Sequence, residues 1–204
     1  MYFRIKMTNS IVRKMNEQDA EEVAELFGNS FPEHIMVQRG FLNSPDYLKQ
    51  RLQNPDECWM VEENGSVRGV AALATAPPVG LGEIERVCVA KEHRGNGIAF
   101  NICKSLVEEA KSRELGFVEA FARGNEPAMQ RTFDKLGFSV WGVSPRFEVM
   151  HNEKVVRELF VHMGLILKPE SVDYLGATLI PPAQDIYDKF ISRCQEPYPK
   201  GYGV

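Results

Sequence analysis

A strand, a glycine turn and a long helix follow one another in the middle of the chain, and this unit constrains the fold most. The strand is predicted over Glu83 to Ala90, the turn over His93 to Gly97 and the helix from Gly97 to Arg113. Gly95 and Gly97 let the backbone approach a ligand without hindrance from a Cβ atom. The first amides of the helix then face that ligand, and such a helix start binds anions. The unit therefore predicts a site for a phosphate-bearing molecule.

Two common nucleotide-binding motifs do not fit this turn. The P-loop requires the pattern G-x-x-x-x-G-K-[ST], and the sequence contains no such run. The dinucleotide fingerprint G-x-G-x-x-G would begin at Gly95, but its last position is Phe100. Glycine is needed there because the helix packs closely on the preceding strand. The remaining candidate is a turn that binds the pyrophosphate of an acyl-CoA.

The segments on both sides of this unit predict a mixed α/β fold. The predicted order is strand, two helices, three strands, helix, strand, helix and two strands. Asn64-Gly65 predicts a hairpin between strands Cys58 to Glu63 and Ser66 to Leu73. The first helix is expected to end at Gly28, and the segment from Phe31 to Gly40 is expected to be irregular.

Length and composition limit the domain organisation and the partners. The 204 residues are enough for one core, predicted as a domain over residues 1–168. Residues 169–204 are predicted as an extension with a short helix, Asp185 to Arg193, and a loose tail. A net charge of −4 argues against nucleic acid or an anionic membrane as the main partner. Without a signal peptide or an apolar stretch of about 18 residues, we expect a cytoplasmic protein without a membrane span.

Cysteines and histidines do not cluster in the sequence. The four cysteines form no C-x-x-C pair, and the four histidines are scattered. A zinc site needs such ligands close together, so no metal site is predicted. We expect the cysteines to be reduced thiols that pack in the interior.

Two motifs of the chain resemble those of the GNAT superfamily of acetyl-CoA-dependent N-acetyltransferases. Arg94-x-x-Gly97-x-Ala99 matches the family's Q/R-x-x-G-x-G/A motif and follows the strand residues Val87-Cys88-Val89. Asn125, followed by a helix that ends in Lys135-Leu136-Gly137-Phe138, resembles the second motif. The resemblance covers about Ile11 to Leu167. It implies an α/β fold with a mostly antiparallel twisted sheet, splayed between strands 4 and 5 and flanked by helices.

The resemblance also implies that acetyl-CoA lies in the gap of the splayed sheet. The backbone of the glycine turn would hold the pyrophosphate, and the strand before it would hydrogen-bond the pantetheine and the acetyl carbonyl. The second motif would line the far side of the pantetheine. The implied cofactor-binding residues are Val87, Cys88, Val89, Arg94, Gly95, Asn96, Gly97, Ile98, Ala99, Asn125, Met129 and Phe133.

The second motif departs from the family at one chemically relevant position. Many members carry a tyrosine there, which acts as general acid toward the departing thiolate. The aligned residue in this chain is Phe133, which cannot donate a proton. Asn125 is also one residue further from the end of the motif than in the commonest version. A thiolate is a fairly stable leaving group, so a dedicated acid is not essential, and water or another side chain is the alternative.

An amine substrate is mostly protonated at pH 7 and must lose a proton before it attacks a thioester. Glu83 and Glu85 are two residues apart and share one face of their strand. A glutamate here is a common base position in the family, and Glu85 is favoured over Glu83. The alternative interpretation is that both side chains face solvent or pair with neighbours such as Arg86. Substrate selection is expected from the loop at Phe31 to Gly40 and from the last two strands, with candidates Glu33, His34, Arg146 and Glu148.

The sequence therefore predicts an N-acetyltransferase. It would move the acetyl group of acetyl-CoA directly to a primary amine of a small molecule or a protein, without an acyl-enzyme. Acetyl-CoA and the amine are the expected partners, and a homodimer formed through the extension after residue 168 is a further hypothesis. The alternative is a non-catalytic acyl-CoA-binding regulatory or interaction module, which the absence of a tyrosine at Phe133 suggests.

Overall fold

The computed structural model describes residues 10–151 and 154–169, together with residues 181, 183–185 and 188. The strands are β1 (Ile11–Lys14), β2 (Glu57–Glu63), β3 (Val67–Ala76), β4 (Leu81–Val89), β5 (Phe117–Arg123), β6 (Ser139–His151) and β7 (Lys154–Ile166). The helices are α1 (Ala20–Ser30), α2 (Ile35–Gln38), α3 (Pro45–Leu52), α4 (Ile98–Ser112) and α5 (Pro127–Lys135). Within the described ranges, every helix is too short or too polar to cross a membrane.

All seven strands form one sheet with the order β1-β2-β3-β4-β5-β7-β6. Neighbouring strands are antiparallel except β4 and β5, which are parallel. This parallel pairing extends only from Leu81 opposite Phe117 to Ile84 opposite Ala120, although β4 continues to Val89 and β5 to Arg123. The two strands therefore separate beyond Ile84, which confirms the mixed, mostly antiparallel and splayed sheet that the sequence predicts.

Helices cover both faces of the sheet and give the domain two hydrophobic cores. On one face α4 contributes Ile98, Ile102 and Leu106, which recur every four residues and are almost fully buried. On the other face Phe27 of α1 and Leu48 of α3 pack over β2 and β3. The gap between β4 and β5 therefore lies within the sheet, beyond the last paired residues Ile84 and Ala120.

The hairpin between β2 and β3 contains a buried ion pair. Gly65 adopts a left-handed φ of 80° in the predicted Asn64-Gly65 turn, so the hairpin prediction is confirmed. Glu62 is 1% exposed and accepts two hydrogen bonds from Arg68, at 3.1 Å from Nε and 2.5 Å from Nη2. The Arg68 carbonyl also accepts the amide of Ala90 at 2.9 Å. Arg68 therefore links the hairpin to the end of β4, where the glycine turn begins.

Two local predictions about the first helices are wrong. α1 continues through Gly28 to Ser30, because Gly28 keeps a helical conformation and the Phe31 amide bonds to the Phe27 carbonyl at 2.9 Å. The segment predicted as irregular contains α2, whose first turn is capped by His34 Nδ1, which accepts the Met36 amide at 3.1 Å. Histidine is not among the residues that usually mark a helix start, so the pattern gave no signal.

The predicted helix from Asp185 to Arg193 lies largely outside the described residues. Asp185 and Asp188 are helical, as are the neighbouring described positions 181, 183 and 184. The division of the chain at residue 168 and the loose tail remain predictions, since most of residues 170–204 are outside the described part.

Candidate active site

The turn between β4 and α4 depends on two glycines in left-handed conformations. Gly95 has a φ of 81° and Gly97 a φ of 78°, values that other residues adopt only with strain. A Cβ built on either glycine would have no described atom within 4 Å. It is therefore the backbone conformation, and not packing against the protein, that requires glycine at both positions.

Two side chains of the predicted motif fix the shape of this turn. Arg94 Nε donates to the carbonyl of Val89 at 3.2 Å, which ties the turn to the last residue of β4. Asn96 Nδ2 donates to the carbonyl of His93 at 3.1 Å. One bond anchors the turn to β4 and the other closes the turn on itself, so the main-chain amides that follow are held in a defined direction.

The start of α4 presents backbone amides without a side-chain cap. Gly97 is the N-cap residue, and the first helical bond runs from the Asn101 amide to the Gly97 carbonyl at 3.0 Å. The amides of Ile98 and Ala99 precede this bond and have no acceptor within the helix. Together with the helix dipole, such amides favour a bound anion. This geometry suits the phosphates that the sequence motif predicts.

Gly69 of β3 sets the distance between the sheet and the start of α4. A Cβ on Gly69 would lie 2.6 Å from Ile98 Cγ2, which is closer than real Cβ contacts, and 3.0 Å from Ile102 Cδ1, which is tighter than most of them. Gly69 is paired with Val89, so this contact lies beside the end of β4. The absence of a side chain at Gly69 therefore positions the first turn of the helix.

We expect Gly69→Ala to displace the start of α4 and to weaken coenzyme A binding. The overpacking should also lower the free energy of unfolding by about 1–3 kcal/mol. Isothermal titration with coenzyme A and urea denaturation measure the two effects. Gly142→Ala is the matched control, since a Cβ at Gly142 would have no described atom within 4 Å. Equal coenzyme A affinity in both variants would contradict the role given to Gly69.

A β-bulge changes the course of β4 just after its parallel pairing with β5 ends. The register with β3 shifts by one residue between Glu85 and Cys88, and Arg86 has a φ of 56°, which is rare for a residue with a side chain. The Arg86 guanidinium pairs with the Glu85 carboxylate and lies 5.4 Å from the ring centroid of Trp59. Bulges bend a strand and redirect the residues after it. The segment Val87–Val89 therefore leaves the neighbourhood of β5.

Side chains of the predicted pantetheine strand pack into the protein. Val87 and Val89 contact the core under α4, while Cys88 is 1% exposed in the other core. Burial raises the pKa of the Cys88 thiol to about 11, so it is protonated at neutral pH and a poor nucleophile. What β4 presents toward the opening is therefore its backbone edge.

The second motif forms the turn after β5 and the helix α5. Phe133 is 2% exposed, and its ring packs against Phe138 with 5.1 Å between centroids. Met129 is half-buried against the same core, and Asn125 is exposed in the turn. Phe133 is thus a core side chain at the position where the family often has a proton donor.

Two carboxylates lie side by side where β4 and β5 are still paired. Glu83 is opposite Glu119 in the parallel register. Ile84 and Ala120 are buried under α4, and side chains alternate along a strand, so both glutamates project from the other face. Glu119 Oε2 lies 2.8 Å from Nε2 of His162 on β7. Neither Glu119 nor His162 is among the residues that the sequence motifs predict.

Aromatic and cationic groups complete this face. The ring of Phe121 stacks on His162, with 4.4 Å between centroids and 11° between planes. The Arg146 guanidinium carbon lies 3.8 Å from the Phe121 centroid, and Nη1 lies 3.9 Å from Glu83 Oε1. We call this group the polar cluster. Its members are Glu83, Glu119, Phe121, Arg146 and His162.

The predicted selectivity residues reach this region in different ways. Arg146 is brought to Glu83 by its side chain. Glu33 and His34 contribute backbone contacts to β6, since the Met150 amide bonds to the Glu33 carbonyl at 2.9 Å and His34 pairs with Val149. The side chain of Glu148 lies outside the described part of the structure. Of these candidates, Arg146 has the clearest contact with the polar cluster.

The splayed sheet, the glycine turn and the uncapped helix start define a coenzyme A-dependent acyltransferase. The sequence model of the acetyltransferase (GNAT) family matches residues 20–138. The chain belongs to this family, whose members use acetyl-CoA, and it is an acetyltransferase.

Solved structures of acetyltransferases share this fold. A putative acetyltransferase from Salmonella typhimurium, solved with its cofactor acetyl-CoA, has a TM-score of 0.64 and 20% identity over 84% of this chain and 99% of its own. A ribosomal-protein-S5-alanine acetyltransferase from Vibrio fischeri has a TM-score of 0.66 and 17% identity over 79% and 95%. Mutant forms of the spermidine/spermine N-acetyltransferase from Vibrio cholerae have a TM-score of 0.63 and 16% identity over 77% and 93%. At these identities, the likeness shows the fold alone.

Proposed function

We propose that the protein transfers the acetyl group of acetyl-CoA directly to a primary amine. The observation that carries this proposal is the pair of carboxylates, Glu83 and Glu85, on the strand that borders the opening of the sheet. Two of the similar structures are named for amine acceptors, an alanine of a ribosomal protein and the polyamines spermidine and spermine. These names support an amine acceptor without selecting one.

For the cofactor, we propose that the amides of Gly95 to Ala99 bind the pyrophosphate. The backbone edge of Val87 to Val89 would hydrogen-bond the pantetheine as an added strand does. Asn125, Met129 and Phe133 would lie along the other side of the pantetheine. The conformations of the two turn glycines and the uncapped start of α4 support this placement.

The reaction requires one proton acceptor on the protein. The ammonium form of the substrate gives one proton to a carboxylate, and its nitrogen then bonds to the thioester carbonyl carbon. As the bond from carbon to sulfur breaks, the nitrogen releases its second proton to water. Phe133 carries no acidic proton, so we propose that the departing thiolate takes its proton from water. Cys88 is buried and protonated, which supports direct transfer without an acyl-enzyme.

The base is proposed to be Glu83, with Glu85 as the second candidate. The sequence favours Glu85, but its carboxylate pairs with the adjacent Arg86. An ion pair stabilises the charged form of a carboxylate and makes it a weaker base. Glu83 is 31% exposed, so its carboxylate is accessible to a substrate. Glu119 is its neighbour in the parallel register, so the two carboxylates together attract a cationic amine.

Release of free thiol from acetyl-CoA, measured over a panel of primary amines, tests the proposed function. Calorimetry with coenzyme A on the same preparation tests the cofactor site separately. We expect micromolar-range binding to be accompanied by amine-dependent thiol release, and acetylated product to be detected by mass spectrometry. Binding of coenzyme A without turnover of any amine would contradict the proposal and would favour the acyl-CoA-binding module instead.

A further inference from the structure

The guanidinium of Arg146 lies over an aromatic ring, and among the described residues few acceptors contact its N–H groups. Its guanidinium carbon lies 3.8 Å from the Phe121 centroid, a distance typical of cation–π contacts. Among the described residues, the ion-pair partner of Arg146 is Glu83, at 3.9 Å and beyond hydrogen-bond range. The side chain is 38% exposed. The group is therefore fixed in position and open to a further acceptor.

A second arginine on the same face shows the contrast. Arg123 binds Glu158 through two hydrogen bonds, both of 2.6 Å, from Nε and Nη2. In the register of β6 and β7, Glu158 is the residue directly opposite Arg146. The carboxylate opposite Arg146 in this register is thus already engaged by Arg123. Among the described residues, Arg123 thus has a bidentate carboxylate partner, whereas Arg146 has one long contact with a carboxylate.

We propose that the acceptor amine also carries a carboxylate, and that Arg146 binds this carboxylate. The inference depends on the proposed amine acetylation. Glu83 and Glu119 attract the ammonium end of such a substrate, and Arg146 attracts its anionic end. Because Arg146 and Glu83 approach within 3.9 Å, the two substrate groups are separated by only a few bonds. An amino acid has this arrangement.

Charge and shape favour a carboxylate over a phosphate. The planar guanidinium presents paired donors that match the two oxygens of a carboxylate. A dianionic phosphate would meet stronger repulsion from Glu83 and Glu119 than a monoanionic carboxylate does. A bound carboxylate also offsets the positive charge of Arg146 near Glu83.

The test compares each amino acid with the amine that lacks only its carboxylate. Suitable pairs are lysine with 1,5-diaminopentane, leucine with isoamylamine and alanine with ethylamine. We expect the wild type to favour the carboxylated member by about tenfold to a hundredfold in kcat/KM, as one charge-assisted interaction provides. Arg146→Gln should bring that ratio close to one, mainly by raising KM for the amino acid. Arg146→Lys keeps the positive charge but loses the paired donors of the guanidinium, so it should retain part of the preference for the amino acid.

Arg157→Gln is the matched control. Arg157 is exposed on β7, one residue from Glu158 and therefore on the opposite face of the sheet. This variant loses the same charge. It should leave kcat/KM for the amino acid, kcat/KM for the matching amine and the ratio of the two unchanged. Thermal unfolding of each variant shows whether it is folded. If Arg146→Gln is unstable, the substrate preference of Arg146→Lys is compared with that of the wild type instead.

Different outcomes separate this inference from the proposed function. Acetylation of amines without a preference for the carboxylated member would overturn the inference and leave the proposed function intact. If Arg146→Gln lowers kcat/KM equally for the amino acid and for the amine without a carboxylate, the inference is also overturned. Arg146 would then act only by positioning Glu83. A higher kcat/KM for phosphoethanolamine than for every amino acid would overturn the inference, since Arg146 would then bind a phosphate and not a carboxylate. The absence of turnover with any amine would overturn the proposed function, and the inference with it.

Discussion

Glu83→Gln is expected to lower kcat for amine acetylation by about 10²–10⁴-fold, the range that general bases contribute. Glutamine has nearly the same shape but cannot accept the proton of the attacking amine. The loss should be largest near pH 7 and should shrink at higher pH, where the amine loses its proton to solvent. Steady-state thiol release between pH 6.5 and 9.5 measures this dependence.

Two further variants make the assignment of the base specific. Glu85→Gln should cost less than Glu83→Gln, because Glu85 is paired with Arg86. Glu108→Gln removes a carboxylate that pairs with Lys111 on the exposed side of α4, and it should leave kcat unchanged. Coenzyme A affinity should be similar in all three variants. If Glu85→Gln shows the larger loss, the sequence-based choice of Glu85 is correct; full activity in both site variants would exclude a glutamate base on β4.

Arg68→Ala should lower the free energy of unfolding by about 3–5 kcal/mol, the usual cost of leaving one member of a buried ion pair alone. Glu62 is 1% exposed, so its charge would lose both hydrogen bonds from Arg68 without gaining water. For a chain of this size, the loss corresponds to a fall of about 6–20 °C in Tm. Urea denaturation and thermal unfolding followed by circular dichroism measure it.

Removing both charges should be much less harmful than removing one. The double variant Arg68→Met with Glu62→Met eliminates the unpaired carboxylate, so it should recover most of the stability that Arg68→Ala loses. Lys111→Ala is the surface control, since its pair with Glu108 is largely exposed and should contribute at most about 1 kcal/mol. Equal losses in the single and double variants would show that packing, and not the buried charge, explains the effect.

Features of the fold with strong local chemistry could be predicted from the sequence. Ser44 caps α3 with Pro45 at its first position, because serine accepts the first helical amides and proline has a fixed helical φ. Asn64-Gly65 makes the hairpin turn, because these residues tolerate the positive φ that such a turn requires. Gly28 was a wrong signal, since buried neighbours such as Phe27 keep the helix intact beyond it. The short helix α2 depends on a histidine cap and on contacts with β6, which a local pattern does not contain.

The cofactor side of the site is more predictable than the acceptor side. The turn at Gly95 and Gly97 is contiguous in the chain, so one motif contains its geometry. The polar cluster combines β4, β5, β6 and β7, and it exists because β7, not β6, pairs with β5. That strand order is a tertiary property. Only the alternation in β5, which places Glu119 and Phe121 on one face, could have indicated part of it.

The short parallel pairing between β4 and β5 divides the enzyme into two consecutive stretches of sequence. Strands β1 to β4 and the glycine turn form one stretch, and strands β5 to β7 form the other, with four register positions joining them. Three of the four strands that carry the polar cluster belong to the second stretch. If the proposed assignment of the two sites is correct, substitutions there can change the acceptor without altering the glycine turn. The donor site and the acceptor site proposed above would thus lie mainly in different stretches of the sequence, joined by four register positions of one strand pair.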